Sequence, residues 1–140
     1  MTTSTAAAHW EGSLTEGKGQ VSLESSGVGT FDITWASRAE QHDGRTNPEE
    51  LIAAAHSSCF SMALSHGLTG AGTPPDSLDT TANVMFKPGE GITGVQLTVR
   101  GVVPGITAEQ FMAAAEDAKL NCPVSKALTG TTITLDASLA

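Results

Sequence analysis

Apolar and polar residues alternate along the first part of the chain in three short stretches. Residues 9–14, 19–24 and 31–35 each place apolar side chains at about every second position. This period is expected of strands that bury one face. We therefore predict three strands in this part of the chain, followed by a polar loop over residues 39–46.

A helix start is the strongest local signal in the sequence. Thr46 or Asn47 can serve as the N-cap, and Pro48 fits the first helical position. Glu50 stands three positions after Asn47, where it completes a capping box. These residues predict a helix that begins at Pro48.

The residues that follow this start indicate a buried helix. Residues 51–64 are almost uncharged and rich in Ala, Ser and Met. A helix that is apolar on most of its faces is usually buried. We predict a central core helix over residues 48–66, ended by Gly67.

Strands and helices also alternate in the second half of the chain. Residues 77–87 and 92–103 read as two neighbouring strands, and residues 107–120 as a helix. A short helix over 123–128 and a last strand over 131–139 follow. Neighbouring strand pairs separated by helices predict an α+β fold with mostly antiparallel sheets.

Length and composition limit the class of protein. The 140 residues fit a single domain over residues 1–140. The net charge of −8 argues against nucleic acid and anionic membranes as partners, since both attract basic surfaces. The first residues lack the basic and apolar regions of a signal peptide, and no apolar run approaches a membrane span. We therefore expect a cytoplasmic protein.

Two cysteines carry the candidate chemistry. Cys59 and Cys122 lie too far apart in sequence for a local motif, so only tertiary folding can bring them together. Cytoplasmic disulfides are usually transient and serve catalysis or sensing. Cys122 directly precedes Pro123 at a helix start, a position that favours a thiolate. The pair therefore indicates redox chemistry at sulfur.

Three other interpretations of the cysteines stay open at this point. A free cysteine often acts only as a small buried hydrophobe. His56 stands three positions before Cys59, which permits a Cys–His hydrolase pair but supplies no orienting group. A metal site is the third interpretation, although Cys59, His56 and His66 do not show a standard metal-ligand spacing.

A reactive thiolate needs a cation, and the chain contains only seven Lys and Arg residues. Arg38, near the end of an apolar strand, is the favoured candidate. Arg45 adjoins the central helix and competes with it, although a solvated surface position is the simpler interpretation of Arg45. Glu49 can hold an arginine, or it can complement the helix dipole.

The residues around both cysteines resemble a known family. Residues 46–51 and 54–64 are similar to the central-helix motif of the OsmC/Ohr family of thiol peroxidases, and residues 121–125 to its second cysteine motif. Residues 9–12 and 133–136 also match, so the resemblance covers essentially the whole chain. The two cysteine motifs resemble the OsmC branch rather than the Ohr branch.

This resemblance implies a fold, an activity and a set of site residues. The fold is OsmC-like, with mostly antiparallel sheets wrapped around long central helices in an intertwined homodimer. The activity is reduction of organic hydroperoxides, and of hydrogen peroxide, by a lipoyl-type or other small dithiol. Cys59 matches the peroxidatic cysteine and Cys122 the resolving one, which form a disulfide. Arg38 matches the arginine that holds the thiolate, and Glu49 its carboxylate partner. No metal or other cofactor is expected.

Helix geometry adds a prediction about the dimer. Glu49 and Cys59 are about 15 Å apart along one helix axis and differ by roughly 80° in direction. We therefore predict that Arg38 and Glu49 serve the Cys59 of the other subunit. The alternative is a monomeric site with a bent helix or a long reach of Arg38.

Functions from other classes also stay open. A non-enzymatic, stress-induced protein could use the same dimer to hold an apolar ligand between helices rich in Ala and Met. A redox sensor could use the disulfide to change a contact with a partner. A peroxidase requires catalytic turnover, whereas neither of these alternatives does.

Overall fold

The computed structural model describes residues 1–140, which fall into two units, residues 1–51 and residues 52–140. The first unit contains a three-stranded sheet and a short helix. The second contains another three-stranded sheet and two helices. Helix α2, Pro48–Gly70, begins in the first unit and continues into the second. These elements confirm the predicted α+β class.

The sheet of the first unit is antiparallel throughout. It contains β1 (Ala6–Glu11), β2 (Lys18–Leu23) and β3 (Thr30–Ile33) in that order. The three predicted strands are therefore confirmed, with shifts of a few residues at their ends. Every residue of β1 is exposed, and Phe31 on β3 is 40% exposed. Within one chain this sheet therefore has little apolar cover.

The residues after β3 are helical, which corrects the prediction that Arg38 lies near a strand end. Helix α1 spans Trp35–Ala39 and carries Arg38. Thr34 is its N-cap: the Thr34 hydroxyl accepts from the Ser37 backbone N–H at 3.1 Å, and the Ser37 hydroxyl accepts from the Thr34 N–H at 3.0 Å. Such reciprocal hydroxyl bonds end an extended segment and start a helix.

Helix α2 starts where the sequence predicts and ends later. The Asn47 side-chain oxygen accepts from the Glu50 backbone N–H at 2.7 Å, which confirms Asn47 as a cap. The Glu50 carboxylate accepts from the Thr46 hydroxyl at 2.6 Å, so Thr46 also contributes to this end of the helix. The predicted end at Gly67 is wrong, because the helix continues to Gly70.

One face of α2 is buried within the chain, and the opposite face is open. The buried positions recur every four residues: His56, Phe60, Leu64 and Leu68. Leu68, which follows Gly67, still belongs to this buried face. Met62, on another face, is 68% exposed. The composition of the helix predicted burial on most of its faces. Within a single chain, that burial is not observed. None of the helices combines the length and the apolar character needed to cross a membrane.

The sheet of the second unit has the order β4-β5-β6. Strands β4 (Ser77–Lys87) and β5 (Gly91–Val102) are antiparallel, and β6 (Ile133–Leu139) is parallel to β5. Three of the four strand pairings in the chain are antiparallel, which confirms the predicted character of the sheets. The parallel pairing needs a crossover connection, which the helices between β5 and β6 supply.

Two helices form this crossover. Helix α3 spans Ala108–Asn121 and begins with a capping box between Thr107 and Gln110. Helix α4 spans Pro123–Ala127. Cys122 lies between them, as the C-cap of α3 and the N-cap of α4. The buried face of α3 belongs to the core of this unit through Phe111, Ala115 and Ala118. Cys122 therefore follows directly on a helix that is packed in the core.

Candidate functional site

The two cysteine sulfurs meet in the second unit. Cys59 and Cys122 are 63 positions apart in the sequence, and the Cys122 thiol donates to Cys59 Sγ at 2.8 Å. Both residues are free thiols. Cys122 is fully buried, whereas Cys59 is half-buried. The fold thus brings together the two residues that the sequence singled out, within easy reach of a disulfide bond.

The environment of Cys59 within its own chain does not favour the thiolate. Burial and the hydrogen bond from Cys122 raise the pKa of the Cys59 thiol, and a hydrogen bond from the backbone of Val124 opposes them only in part. Removal of a thiolate from water disfavours its charge. The groups of the second unit that shift this pKa do not include the expected cation. A reactive thiolate requires a further positive charge.

Arg38 and Glu49 form an ion pair in the first unit. Arg38 Nε donates to both carboxylate oxygens, at 3.0 and 3.2 Å, and Nη2 donates to Oε1 at 2.8 Å. The Glu49 side chain is only 5% exposed, whereas that of Arg38 is 33% exposed. Fork-like charge-assisted hydrogen bonds of this kind hold a guanidinium in a defined orientation.

A small polar network fixes the backbone on both sides of this ion pair. The Ser37 hydroxyl shares its proton between the Thr34 carbonyl at 2.8 Å and the Thr46 carbonyl at 3.0 Å, and the Asn47 side chain donates to the Ser37 carbonyl at 2.8 Å. Ser37 and Asn47 are buried. These bonds tie α1 to the start of α2 and thereby place Arg38 opposite Glu49. Ser37 was not singled out from the sequence, although its spacing from Thr34 is that of a cap.

Arg45, the competitor of Arg38, pairs with a different carboxylate. Its Nη1 lies 3.6 Å from Asp43 Oδ2, and the two side chains are 41% and 87% exposed. Exposed ion pairs of this type contribute little to stability. Arg45 thus occupies the surface position that its simpler interpretation predicted.

Each unit contains a cavity beside one of the predicted site residues. In the first unit a cavity of about 330 Å³ adjoins Arg38 and is lined mainly by apolar side chains: Trp10, Leu14, Ile33, Trp35 and Pro48. In the second unit an open cavity of about 610 Å³ adjoins Cys59 and includes Met62, Ala63 and His66. One cavity therefore offers a cation with an apolar lining, and the other offers a sulfur.

A second polar pair lies beside the cysteines. His56 Nε2 is 2.7 Å from the Ser125 hydroxyl, and both residues are buried. Burial lowers the pKa of His56, so its ring is neutral at physiological pH. Sequence reasoning noted His56 as a neighbour of Cys59 but did not single out Ser125. No group of three or more His, Cys, Asp or Glu side chains is arranged to hold a metal ion.

Comparison with known proteins identifies the family. The family model described as OsmC-like protein matches residues 41–136. The chain belongs to the OsmC family. It is 47% identical over 135 residues to the peroxiredoxin OsmC of Escherichia coli K12, a match that covers 94% of this chain and 93% of that protein.

Ohr proteins are more distant relatives of this OsmC-family chain. The organic hydroperoxide resistance protein OhrA of Bacillus subtilis is 36% identical over 97 residues, which cover 66% of this chain and 67% of OhrA. Among solved structures, an organic hydroperoxide resistance protein OsmC from Legionella pneumophila superposes with a TM-score of 0.75 at 25% identity. That superposition covers 99% of this chain and 98% of the Legionella chain. The OsmC/Ohr resemblance seen in the sequence is thereby confirmed.

Proposed function

We propose that this OsmC-family protein is a cysteine-based peroxidase that reduces organic hydroperoxides, and hydrogen peroxide, at the expense of a dithiol. The observation that carries the proposal is the 2.8 Å approach of the Cys59 and Cys122 sulfurs. Its close relative in Escherichia coli is named a peroxiredoxin. Such a peroxidase requires two neighbouring thiols, one of which is accessible to the peroxide.

The first step takes place at Cys59, the more exposed of the two sulfurs. Its thiolate attacks the terminal oxygen of the hydroperoxide, and the O–O bond breaks. The alkoxide leaves and takes up a proton to become an alcohol, while Cys59 becomes a sulfenic acid. Sulfur is oxidised and the peroxide is reduced, with no metal or other cofactor in the step.

The second step joins Cys59 to Cys122. The Cys122 sulfur attacks the sulfenic sulfur, the S–O bond breaks and water leaves with the thiol proton. The resulting disulfide is then reduced by two thiols of an external dithiol, which itself becomes a disulfide. A small dithiol of the lipoyl type fits this last step. A cytoplasmic location suits the cycle, because thiol pools there keep such cysteines reduced.

In the proposed site Arg38 supplies the positive charge that the Cys59 thiolate needs. Burial raises the pKa of Cys59, so an added cation is needed to hold the thiolate. Arg38 is oriented by Glu49 and borders an open cavity. In the proposed site it stabilises both the thiolate and the charge that develops on the leaving oxygen.

A homodimer assembles this site. Glu49 and Cys59 are separated by about 15 Å along α2. In a dimer with antiparallel copies of this helix, Arg38 and Glu49 therefore serve the Cys59 of the other subunit. Exposed Met62 on α2 and the exposed residues of β1 are surfaces that such a copy would cover. Residues 1–140 then act as one OsmC-like domain, because α2 belongs to both units.

The cavity beside Arg38 favours organic hydroperoxides over hydrogen peroxide. Trp10, Leu14 and Trp35 present apolar surface next to the guanidinium. An organic hydroperoxide can bury its hydrocarbon part there while its peroxide group faces the charge. Hydrogen peroxide has no such part to bury.

The decisive experiment measures peroxide consumption with cumene hydroperoxide and a dithiol, in the wild type and in Cys59→Ser. We expect many turnovers by the wild type and none by the variant. Oxidation of one disulfide per chain without further turnover would contradict the proposal and would favour a ligand-binding or redox-sensing protein. A Cys122→Ser variant cannot form the disulfide, so its turnover should be much lower and its Cys59 should accumulate as sulfinic acid.

A further inference from the structure

Two contacts join α2 to the segment that starts at Cys122. In the first, the Cys122 thiol donates to Cys59 Sγ at 2.8 Å, and in the second, His56 Nε2 lies 2.7 Å from Ser125 Oγ. His56 and Cys59 are three residues apart on α2, and Cys122 and Ser125 are three residues apart on the other segment. The contacts are therefore neighbours, about one helical turn apart.

The His56–Ser125 contact is shielded from water. His56 is fully buried and Ser125 is 4% exposed, and His56 Nδ1 has no hydrogen-bond partner in the chain. A buried unpaired N–H is rarer in proteins than a buried unpaired acceptor. We therefore assign the ring proton to Nε2, which donates to Ser125 and leaves only a lone pair of Nδ1 unpaired. A hydrogen bond without competing water holds its partners firmly.

Ser125 is also the anchor of α4. It is the one buried residue of this five-residue helix, whereas Pro123, Lys126 and Ala127 are exposed. A helix so short has little stability of its own. The position of α4 against α2 thus depends strongly on the bond from His56, and Cys122 is the residue from which α4 starts.

We propose that His56 and Ser125 are positioning residues for disulfide formation, an inference that rests on the proposed peroxidase function. Their bond holds the Cys122 sulfur against Cys59 while the sulfenic acid exists. Neither residue is accessible to a peroxide, so they act through Cys122 and not on the substrate. For the same reason the His–Ser pair does not serve as a hydrolase dyad, since an ester or peptide cannot reach the buried hydroxyl.

The positioning matters because two reactions compete for the sulfenic acid. In one, Cys122 displaces the hydroxyl group as water and forms the S–S bond. In the other, a second hydroperoxide transfers an oxygen to the Cys59 sulfur, leaves as an alcohol and produces a sulfinic acid. A Cys122 sulfur held within bonding reach favours the first outcome by raising its effective concentration.

The test follows a single turnover in Ser125→Ala and His56→Leu. One equivalent of cumene hydroperoxide is added, and dimedone then traps the Cys59 sulfenic acid at successive times. We expect disulfide formation to slow by about tenfold, the factor for the loss of one hydrogen bond of about 1.4 kcal/mol. Oxidation of Cys59 should keep its wild-type rate, and His56→Gln, which can still donate to Ser125, should recover part of the resolution rate.

A matched control removes a comparable bond elsewhere on α2. The Ser61 hydroxyl donates to Thr80 Oγ1 at 2.7 Å and does not touch the Cys122 segment. Ser61→Ala should therefore resolve its sulfenic acid at the wild-type rate. The double variant of His56→Leu and Ser125→Ala should be no slower than either single variant, because the two residues act as one unit.

A second readout needs no peroxide and separates the two proposals. The Cys59–Cys122 disulfide is equilibrated with glutathione buffers, and Ser125→Ala should shift it about tenfold towards the thiols. If the wild type shows this equilibrium but consumes no peroxide, the peroxidase proposal fails and the positioning role stands. If the wild type turns over while Ser125→Ala matches it in both resolution rate and equilibrium, the positioning role is overturned. Should His56→Leu not fold, Ser125→Ala alone decides the question.

Discussion

The Arg38 guanidinium donates to both oxygens of the Glu49 carboxylate, with its shortest bond, from Nη2 to Oε1, at 2.8 Å. Glu49 is almost fully buried, and Arg38 reaches from this anchor towards an open cavity. A buried carboxylate is stable as an anion only when it is paired and hydrogen-bonded. The ion pair therefore fixes the orientation of Arg38, as the proposed role of Arg38 beside the reacting sulfur requires.

Loss of the Arg38 charge should impair the first step of catalysis. We expect Arg38→Met to lower kcat/KM for cumene hydroperoxide by roughly 10²–10³-fold, the range for loss of one group that stabilises developing negative charge. Arg38→Lys should lose less, about tenfold, because it keeps the charge but not the fork. Iodoacetamide labelling of Cys59 at neutral pH should also slow in Arg38→Met, because no cation would then counter the burial that raises the pKa of Cys59.

Arg45→Met is the matched control for these variants. Arg45 is an exposed arginine paired with Asp43, so its loss removes a positive charge without touching Glu49. It should keep near wild-type activity and labelling. Equal losses in Arg45→Met and Arg38→Met would show that net charge, and not the aimed guanidinium, supports the thiolate.

Subunit mixing should show whether Arg38 acts across the dimer. A mixed dimer of Arg38→Ala and Cys59→Ser subunits holds one intact site only if Arg38 serves the Cys59 of its partner. Random mixing should then restore roughly a quarter of the wild-type activity, because half of the dimers are mixed and each has one intact site. Activity is measured after the two inactive variants are unfolded and refolded together. No recovery, with mixed dimers verified by mass spectrometry, would indicate a site contained in one chain.

His56 should make the protein sensitive to mild acid. Burial lowers the pKa of the folded ring below 6.5, its ordinary value. As pH falls below about 6.5 the unfolded state binds a proton that the folded state does not, so the free energy of unfolding decreases. The loss is at most about 1.4 kcal/mol per pH unit and continues down to the folded pKa. This contribution to stability is complete above about pH 7.5.

Urea denaturation over a series of pH values checks this prediction. His56→Gln lacks the titrating ring, so its free energy of unfolding should fall less steeply than that of the wild type below pH of about 6.5. His66→Gln is the control, because His66 is an exposed histidine on the same helix. Parallel pH profiles for the wild type and His56→Gln would assign the acid sensitivity to other groups.

Much of the site could be predicted because its residues carry strong local signals. Cys122 precedes a proline, and the structure places it between α3 and α4 as that dipeptide indicates. The cap at Asn47 and the strand pair β4–β5 follow from turn and periodicity rules in the same way. In each case neighbouring residues determine the local structure, so tertiary contacts need only agree with them.

The parts that the sequence did not reveal depend on distant contacts. The sequence of helix α1 continues an alternating pattern that is typical of a strand. The Thr34–Ser37 cap and the bond from Ser37 to Thr46 stabilise a helix there instead. Ser125 looks like an ordinary polar residue until the fold brings it to His56, 69 positions away. The pKa of Cys59 depends on burial, which no pattern of neighbours determines.

The contact between Gly101 on β5 and Phe111 on α3 gives a prediction about how Cys122 is held. A Cβ atom added at Gly101 would lie 2.7 Å from two ring atoms of Phe111, which is fully buried. Gly101→Ala must therefore displace the ring of Phe111, which lies in the first turn of the helix that leads to Cys122. We expect the free energy of unfolding to fall by about 1–3 kcal/mol, the usual range for overpacking of a core.

Urea denaturation and single-turnover kinetics together check this prediction. Gly130→Ala is the control, because an added Cβ at Gly130 meets no atom within 4 Å and its φ is not positive. Gly130→Ala should match the wild type in both measurements. In Gly101→Ala, disulfide formation should slow along with the loss of stability, since Cys122 moves with α3. A destabilised Gly101→Ala with a wild-type rate of disulfide formation would mean that the His56–Ser125 bond holds Cys122 independently of α3.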